Sequence, residues 1–191
     1  MLPQNINLAI YLFICALVLA YLEVQIEGQH GWAAKLPTWR PNGKWFAKLY
    51  RKVMGGKELT GYHLGVFGFV LLFLHYPYLG WAPTWWQELW VLSIFLLFSV
   101  VWDYLWIIIN PHYGVIRRRP QTDVTWHHHW WGPFPRDYYF GILLSIVLIS
   151  PLWYKNWYAL EEWAKIFGVF AVGTVLTLIL VEMFRGDVKR K

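Results

Sequence analysis

The stretch that decides the fold is 88-ELWVLSIFLLFSVVWDYLWIIIN-110, which runs from Glu88 to Asn110. It is apolar almost throughout, and Pro111 follows it directly. A helix rises about 1.5 Å per residue, so about 20 mostly apolar residues cross the hydrocarbon core of a bilayer. Proline ends such a helix because it lacks the backbone N–H. The stretch therefore predicts a transmembrane helix over residues 88–110.

Four further apolar runs accompany this stretch, at residues 7–27, 60–79, 137–153 and 163–184. Hydrophobic residues make up 58% of the chain, whereas a soluble domain has about 45–50%. The excess lies in long runs separated by short polar stretches, which is typical of membrane proteins. We therefore predict an all-α integral membrane protein with a single transmembrane domain over residues 1–191. About five transmembrane helices would form one bundle.

The composition also excludes other classes of protein. Trp occurs 15 times, and the aromatic residues cluster at the ends of the apolar runs, where membrane interfaces favour them. The single cysteine, Cys15, excludes an intrachain disulfide and a cysteine-based zinc site. The net charge of +6 lies in segments that flank the apolar runs, so lipid headgroups explain it better than nucleic acid does. We expect the lipid bilayer as a partner and no nucleic acid.

The basic residues predict how the chain is oriented. Of the 17 Lys and Arg residues, 15 lie between the first and second runs, between the third and fourth, or after the fifth. The other two are Lys155 and Lys165. Cytoplasmic loops carry the excess of positive charge in membrane proteins. We therefore predict a multi-pass protein of the cell membrane, with the N-terminus outside and the C-terminus in the cytoplasm.

The segment 31–57, between the first two runs, is too long for a tight turn. Trp45, Phe46, Leu49, Tyr50 and Val53 recur at helical spacing, with basic residues between them. This pattern predicts an amphipathic helix that lies on the inner leaflet. The alternative is a soluble loop helix packed against the rest of the protein.

Ionisable residues inside predicted spans are costly in a bilayer and are therefore candidates for function. Glu23, Asp103 and Glu182 come from three different runs and lie at a similar depth near the cytoplasmic end. Glu27 and the histidines of the cytoplasmic side lie at or just below that depth. These histidines open the second run or belong to the His-rich segment 111–136, and they are His63, His112, His127, His128 and His129. The sequence predicts one polar site at this end of the bundle.

Simpler roles compete at several of these positions. Glu27 could extend to the headgroups, and Glu182 could form a salt bridge with Arg185, three residues further on. His112 could cap the break after Asn110. Within the triplet, an extended chain turns the first and third side chains to the same side, so His127 and His129 are the expected pair.

Carboxylates and imidazoles together are the ligands of non-haem iron, manganese or zinc. We predict one or two divalent metal ions, with iron favoured and manganese or zinc as the alternatives. Haem is not expected, because His75 on the outer side has no histidine partner at its level. An inner haem between His63 and His112 is the remaining alternative for such a group.

The leading hypothesis for function is a membrane metalloenzyme, an oxidoreductase that acts on a lipid or another hydrophobic small molecule. A transporter for a metal ion or for protons is the second hypothesis, although the outer half of the predicted bundle offers few polar residues for a path. The third is a non-catalytic membrane subunit of a larger complex. The oligomeric state stays open, and a homo-oligomer is one alternative.

Overall fold

The structure is a computed structural model of the protein. It describes residues 6–80, 84–113, 124, 126–155 and 158–188, with the side chains of these residues except 153–155 and 186–188. The helices of the described residues are α1 (Ile6–Glu27), α2 (Trp45–Val53), α3 (Gly61–His75), α4 (Trp85–Ile109), α5 (Arg136–Lys155) and α6 (Tyr158–Val188). A 3₁₀ turn (Tyr76–Tyr78) follows α3, and β1 (Trp130–Trp131) pairs with β2 (Phe134–Pro135) in a short hairpin. The predicted all-α class is confirmed.

Three of the described helices are long and apolar enough to cross a membrane, namely Ile6–Glu27, Trp85–Ile109 and Tyr158–Arg185. These helices indicate a membrane-associated protein. The other two predicted spans correspond to α3 and α5. Helix α3 ends at His75, earlier than the predicted 60–79, and the 3₁₀ turn that follows contains Pro77.

Helix α4 begins at Trp85, three residues before the predicted span, because its N-terminus is capped. The Thr84 side chain accepts a hydrogen bond from the Gln87 backbone N–H, and the Gln87 side chain accepts one from the Thr84 backbone N–H. Two otherwise unpaired backbone donors are satisfied in this way.

Helix α4 lies at the centre and packs against α1, α3, α5 and α6. In an apolar stretch of 18 residues in α4, 56% of the residues are buried, whereas the corresponding stretch of α6 has 11% buried. Small residues allow close helix contact, as is usual in membrane bundles. On α5, Ser145 Oγ lies 2.9 Å from Ser93 Oγ of α4 and accepts a 2.8 Å hydrogen bond from Trp163 Nε1 of α6.

Hydrogen bonds gather the ends of five helices at one end of the bundle, which we call the polar end. Asn110 Nδ2 donates to the Gly28 carbonyl at 2.7 Å, and Arg185 Nη1 donates to the Tyr113 carbonyl at 2.7 Å. Lys57 Nζ, just before α3, donates to Asp137 Oδ2 at 2.9 Å. The Tyr138 hydroxyl at the start of α5 donates to Asp103 near the end of α4, which joins the two groups of helix ends. The C-termini of α1, α4 and α6 therefore lie beside the N-termini of α3 and α5, and α4 runs antiparallel to α3 and α5.

Helix α2 stands apart from this core. None of its residues is buried, and its apolar residues are exposed, with Trp45 76% and Val53 73% accessible.

Candidate metal centre

Two glutamates and one histidine converge at the polar end, and we call them the glutamate–histidine cluster. Glu23 and Glu27 are four residues apart and share one face of the last turns of α1. His63 lies in the first turn of α3, and its Nε2 is 4.0 Å from Glu23 Oε1 and 3.9 Å from Glu27 Oε1. All three residues are buried, and one ligand atom from each lies within 4.8 Å of the others. Hydrogen bonds are shorter than these distances, so the three groups face one another without bonding.

The side chain of His63 is fixed from three directions. Its Nδ1 lies 2.8 Å from Oγ1 of Thr60, the residue that caps α3. Its ring stacks on Trp32, with 4.0 Å between ring centroids, and on Phe67, at 5.9 Å. These contacts leave Nε2 as the ring nitrogen that faces the glutamates.

The backbone after α1 turns sharply so that it can approach Glu27. Trp32 and Ala33 have φ angles of 58° and 53°, in the left-handed region that costs a residue with a side chain about 1–2 kcal/mol. This turn directs the backbone N–H groups of both residues at the Glu27 carboxylate, and the Ala33 N–H donates a hydrogen bond to Oε1. Strain of this kind occurs often at functional sites.

Glu23 lies beside a buried donor. The side chains of Tyr62 and Trp102 both face its carboxylate. Trp102 is 2% exposed, and its indole N–H has no hydrogen-bond partner within bonding distance among the described residues. The Trp102 N–H therefore faces the Glu23 carboxylate without a hydrogen bond of normal length to it.

A second group of charges adjoins the cluster, and we call it the Asp–His network. It consists of Lys57, Asp103, His127 and Asp137. His127 Nε2 lies 2.9 Å from Asp103 Oδ2, and His127 Nδ1 lies 3.0 Å from Asp137 Oδ2. Lys57 Nζ donates to Asp137 at 2.9 Å, and the Tyr138 hydroxyl donates to Asp103 at 2.8 Å. Asp103 also acts electrostatically on the cluster.

His127 is protonated more readily in this network than in water. Its burial alone would lower its pKa, but the carboxylates of Asp103 and Asp137 raise the pKa above the ordinary value. With both ring nitrogens protonated, each can donate to one carboxylate. The charges of His127 and Lys57 then balance those of the two aspartates.

The residues predicted from the sequence are therefore divided between several places. Glu23, Glu27 and His63 form the cluster, whereas Asp103 and His127 belong to the network. Exposed positions are occupied by His112, His128 and His129. Glu182 lies 3.9 Å from Arg185, the salt bridge that was the simpler alternative. The predicted basic residues 117–119 lie outside the described residues.

A cavity of about 480 Å³ opens beside both groups. Its polar wall includes Lys57, Asp103, His127 and Arg136, and its apolar wall comes from α3, α4 and α5. Trp32 and Phe67 line the cavity and also stack on His63. These two rings therefore form the partition between the cavity and the cluster.

Sequence reasoning missed several residues of this region. At Lys57 the sequence indicates only a basic loop residue, and at Asp137 only the start of a span. Trp102 belongs to the central apolar run, where nothing marks its N–H as unpaired. One signal was available for Thr60, because threonine three residues before His63 is a typical helix cap.

Chemically, the cluster offers two carboxylates and one imidazole to a cation, and the network holds an imidazole between two carboxylates beside a cavity. No protein-family model, curated protein or solved structure matches this chain.

Proposed function

We propose that this chain is a membrane metalloenzyme, which binds a divalent metal ion at the glutamate–histidine cluster and acts on a hydrophobic substrate. The observation that carries the proposal is the convergence of Glu23, Glu27 and His63, all buried, from two helices. Bonds from a metal ion to carboxylate oxygen or imidazole nitrogen are about 2.0–2.2 Å long, so two ligands of one ion lie at most about 4.4 Å apart. The separations of 3.9 and 4.0 Å between His63 and the glutamates fit within this limit.

The charge of the cluster also favours a cation. Two buried carboxylates side by side repel each other and lose hydration, unless they are protonated or paired. Within the described residues, His63 is the only basic group in an ion-pair contact with either glutamate. The nearby cations serve other acids, since Lys57 binds Asp137 and Arg40 lies 3.6 Å from Glu58. A divalent ion would offset both glutamate charges at once.

The surroundings of the three ligands suit a metal site. If His63 donates its Nδ1–H to Thr60, then Nε2 presents its lone pair to the ion, as histidine ligands commonly do. The backbone N–H of Ala33 orients Glu27. The unpaired N–H of Trp102 could donate to a water molecule or a substrate oxygen bound beside Glu23.

In the proposed arrangement, α1, α3, α4, α5 and α6 cross the bilayer, with the N-terminus outside and the polar end at the cytoplasmic face. Support comes from the antiparallel arrangement of α4 with α3 and α5 and from the basic residues of segment 35–57, which connects α1 to α3 at the polar end. Exposed apolar residues on α2 would enter the inner leaflet, while Lys48 and Lys52 would meet anionic headgroups.

The three ligands do not determine the reaction, which depends on the metal that binds. Carboxylates with imidazole suit iron, manganese and zinc. Iron would make the chemistry oxidative, which is the alternative we favour, whereas zinc would generate a hydroxide for hydrolysis. A substrate would enter through the cavity, and Trp32 or Phe67 would have to turn aside before the substrate could reach the metal.

Transport is a weaker proposal because a path must continue to the opposite end of the bundle. Along that direction α4 buries Ile94, Leu97 and Phe98 among its neighbours. A polar path through this packing would require large rearrangement.

Metal content is the direct test of the proposed function. We expect detergent-purified wild-type protein to contain about one equivalent of metal by elemental mass spectrometry, after reconstitution with iron, manganese or zinc. Glu23→Gln and His63→Gln should each lower the metal content about tenfold or more, since loss of a neighbour of the ligands alone already costs about 10–100-fold in affinity.

Glu88→Gln is the matched control, because Glu88 also pairs with a helical histidine, His75, at 3.1 Å, but at the opposite end of α4. It should keep the wild-type metal content. Metal-free wild-type protein after reconstitution with all three metals would contradict the proposal. Equal metal loss in Glu88→Gln would show that the loss reflects general damage rather than a site.

A further inference from the structure

The cavity at the polar end has two halves of opposite chemistry. Along one face of α4 its lining changes from Leu96 through Val100 to Asp103, a distance of about 10 Å at the helical rise. Leu144 of α5, which is 50% exposed, continues the apolar half. A cavity of about 480 Å³ is within the range of about 300–1,000 Å³ in which proteins bind small molecules.

The polar half contains donors that no acid among the described residues satisfies. Asp103 and Asp137 are already bonded to His127, Tyr138 and Lys57. Arg136 also lines the cavity, and in the described part of the chain its guanidinium contacts the Phe140 ring but forms no ion pair with a carboxylate.

Two histidines add to these donors. His128 and His129 line the same half, and their rings make no hydrogen bond with another described residue. Arg136 is the first residue of α5, a helix of 20 residues, and the positive end of the helix dipole adds to the attraction for an anion. With the network charges balanced, the unpaired charge of this half is positive.

We propose that this cavity binds an amphiphile with a phosphate head group, in the manner of an anionic membrane lipid. Arg136 bonds the phosphate, because a guanidinium matches phosphate oxygens with two parallel N–H groups. His128 and His129 complete the contacts to the head group. The acyl chain lies along Leu96, Val100 and Leu144, where the cavity is open towards the lipid.

This inference names the substrate class of the proposed enzyme and, as a statement about substrate, rests on the proposed function. Binding itself does not require the metal, because the phosphate contacts lie on the far side of Trp32 and Phe67 from the cluster. Failure of the two proposals can therefore be distinguished by measuring metal and lipid in the same samples.

Lipid binding can be measured by native mass spectrometry in neutral detergent, with full-length protein. The probes are a phosphatidic acid, the diacylglycerol with the same chains, and inorganic phosphate. We expect one phosphatidic acid per chain, with diacylglycerol and free phosphate bound at least tenfold more weakly. Arg136→Gln should weaken phosphatidic acid binding about tenfold or more, since a hydrogen bond to a charged group is worth that much.

Two further variants distinguish loss of lipid binding from loss of folding. Leu144→Trp fills the apolar half and should weaken phosphatidic acid binding without touching the head group. Arg51→Gln is the control, because Arg51 pairs with Glu58 outside the cavity, and it should bind as the wild type does. Weakening by both cavity variants but not by Arg51→Gln supports the proposal.

The following results would each contradict the proposed lipid site. Equal affinity for diacylglycerol would exclude phosphate recognition, and free phosphate that displaces the lipid at equal concentration would exclude an acyl site. Unchanged binding in folded Arg136→Gln would exclude the head-group contact. Phosphatidic acid binding that persists in metal-free Glu23→Gln supports this inference, and a metal-loaded wild type that binds no phosphatidic acid overturns it while the metal proposal stands.

Discussion

The glutamate–histidine cluster and the Asp–His network lie side by side at the polar end, yet they are built in opposite ways. In the network, every charge meets an opposite charge at hydrogen-bond distance, from Lys57–Asp137 at 2.9 Å to His127–Asp103 at 2.9 Å. In the cluster, the imidazole lies 3.9–4.0 Å from the carboxylates, and the two acids have no balancing cation among the described residues.

Under the proposed function, this difference separates a group that supports the fold from a group that would bind a ligand. A balanced, bonded network gains nothing from an added ion, and it links α4, α5 and the residues before α3. A cluster with unbalanced charge gains stability when a cation arrives. The same residue types, Asp or Glu with His, therefore predict different roles once distances are known.

The largest expected effect is on the network. Asp103→Asn removes the negative charge that faces His127, whose side chain is fully buried, and breaking a buried ion pair costs about 3–5 kcal/mol. We expect about 3 kcal/mol, because the second partner, Asp137, is half exposed. Thermal unfolding in detergent should then shift down by about 6–12 °C.

The control for Asp103→Asn is Glu58→Gln on the surface. Glu58 pairs with Arg51 at 2.7 Å, but both side chains are exposed, and such pairs are worth about 1 kcal/mol or less. An Asp103→Asn shift as small as that of Glu58→Gln would mean that the network is not part of the scaffold.

The cluster should respond to metal instead. At a free metal concentration of about 100 times Kd, a bound ion stabilises the folded protein by about 2.7 kcal/mol, which raises the unfolding temperature by about 5–10 °C. Glu23→Gln should abolish this rise. Without metal it should be at least as stable as the wild type, because it removes repulsion between two buried carboxylates.

Removing an acid from the cluster should therefore leave the metal-free protein at least as stable, whereas removing an acid from the network should destabilise it. A metal-induced rise that survives in Glu23→Gln would assign the ion to another site, and Asp103→Asn should keep the rise. Glu88→Gln, at the other end of α4, should behave as the wild type in both conditions. Elemental analysis of the same samples links the shift to occupancy.

The sequence predicted the helical class, but not how the acids are grouped. Three of the five predicted spans overlap apolar helices long enough to cross a membrane. Depth follows from counting residues along a helix, and it led to one site that included Glu182. Rotation about the helix axis decides the neighbours, and apolar helices such as α1 and α4 have no polar face from which rotation could be inferred.

The network was hidden for a different reason. Lys57 and Asp137 are 80 residues apart in the chain, and no periodic pattern connects them. His127 reaches Asp103 from residues 126–129, just before β1, where its ring contacts Trp126 and Trp130. Such tertiary packing cannot be inferred from local spacing. The capping pair of Thr84 and Gln87, by contrast, could have been recognised from local spacing.

A third prediction concerns the turn between the two regions. Gly31 precedes the turn that faces Glu27, and a Cβ added to it would overlap the Trp126 ring, next to His127. Gly31→Ala should therefore cost about 1–3 kcal/mol, as overpacking usually does, and should also weaken metal binding.

Gly68→Ala is the matched control, because a Cβ at Gly68 in α3 meets no atom within 4 Å. It should be neutral or stabilising by up to about 1 kcal/mol, as alanine favours the helix. If Gly31→Ala lowers stability but leaves metal affinity unchanged, the two regions are mechanically independent, and packing beside His127 does not affect the cluster.

The smallest effect should appear in the pH dependence of the network. The folded state raises the pKa of His127, since Asp103 and Asp137 outweigh its burial and the opposing charge of Lys57. A raised pKa stabilises the folded protein fully below the unfolded value of about 6.5, and this contribution is lost as pH rises through the folded value. Each unit of difference between the folded and unfolded pKa is worth about 1.4 kcal/mol.

The difference in unfolding temperature between wild type and His127→Gln should therefore shrink as pH rises above about 6.5. A difference that stays constant up to the alkaline limit of folding would mean that the charge on His127 does not support the network, and that its hydrogen bonds alone do.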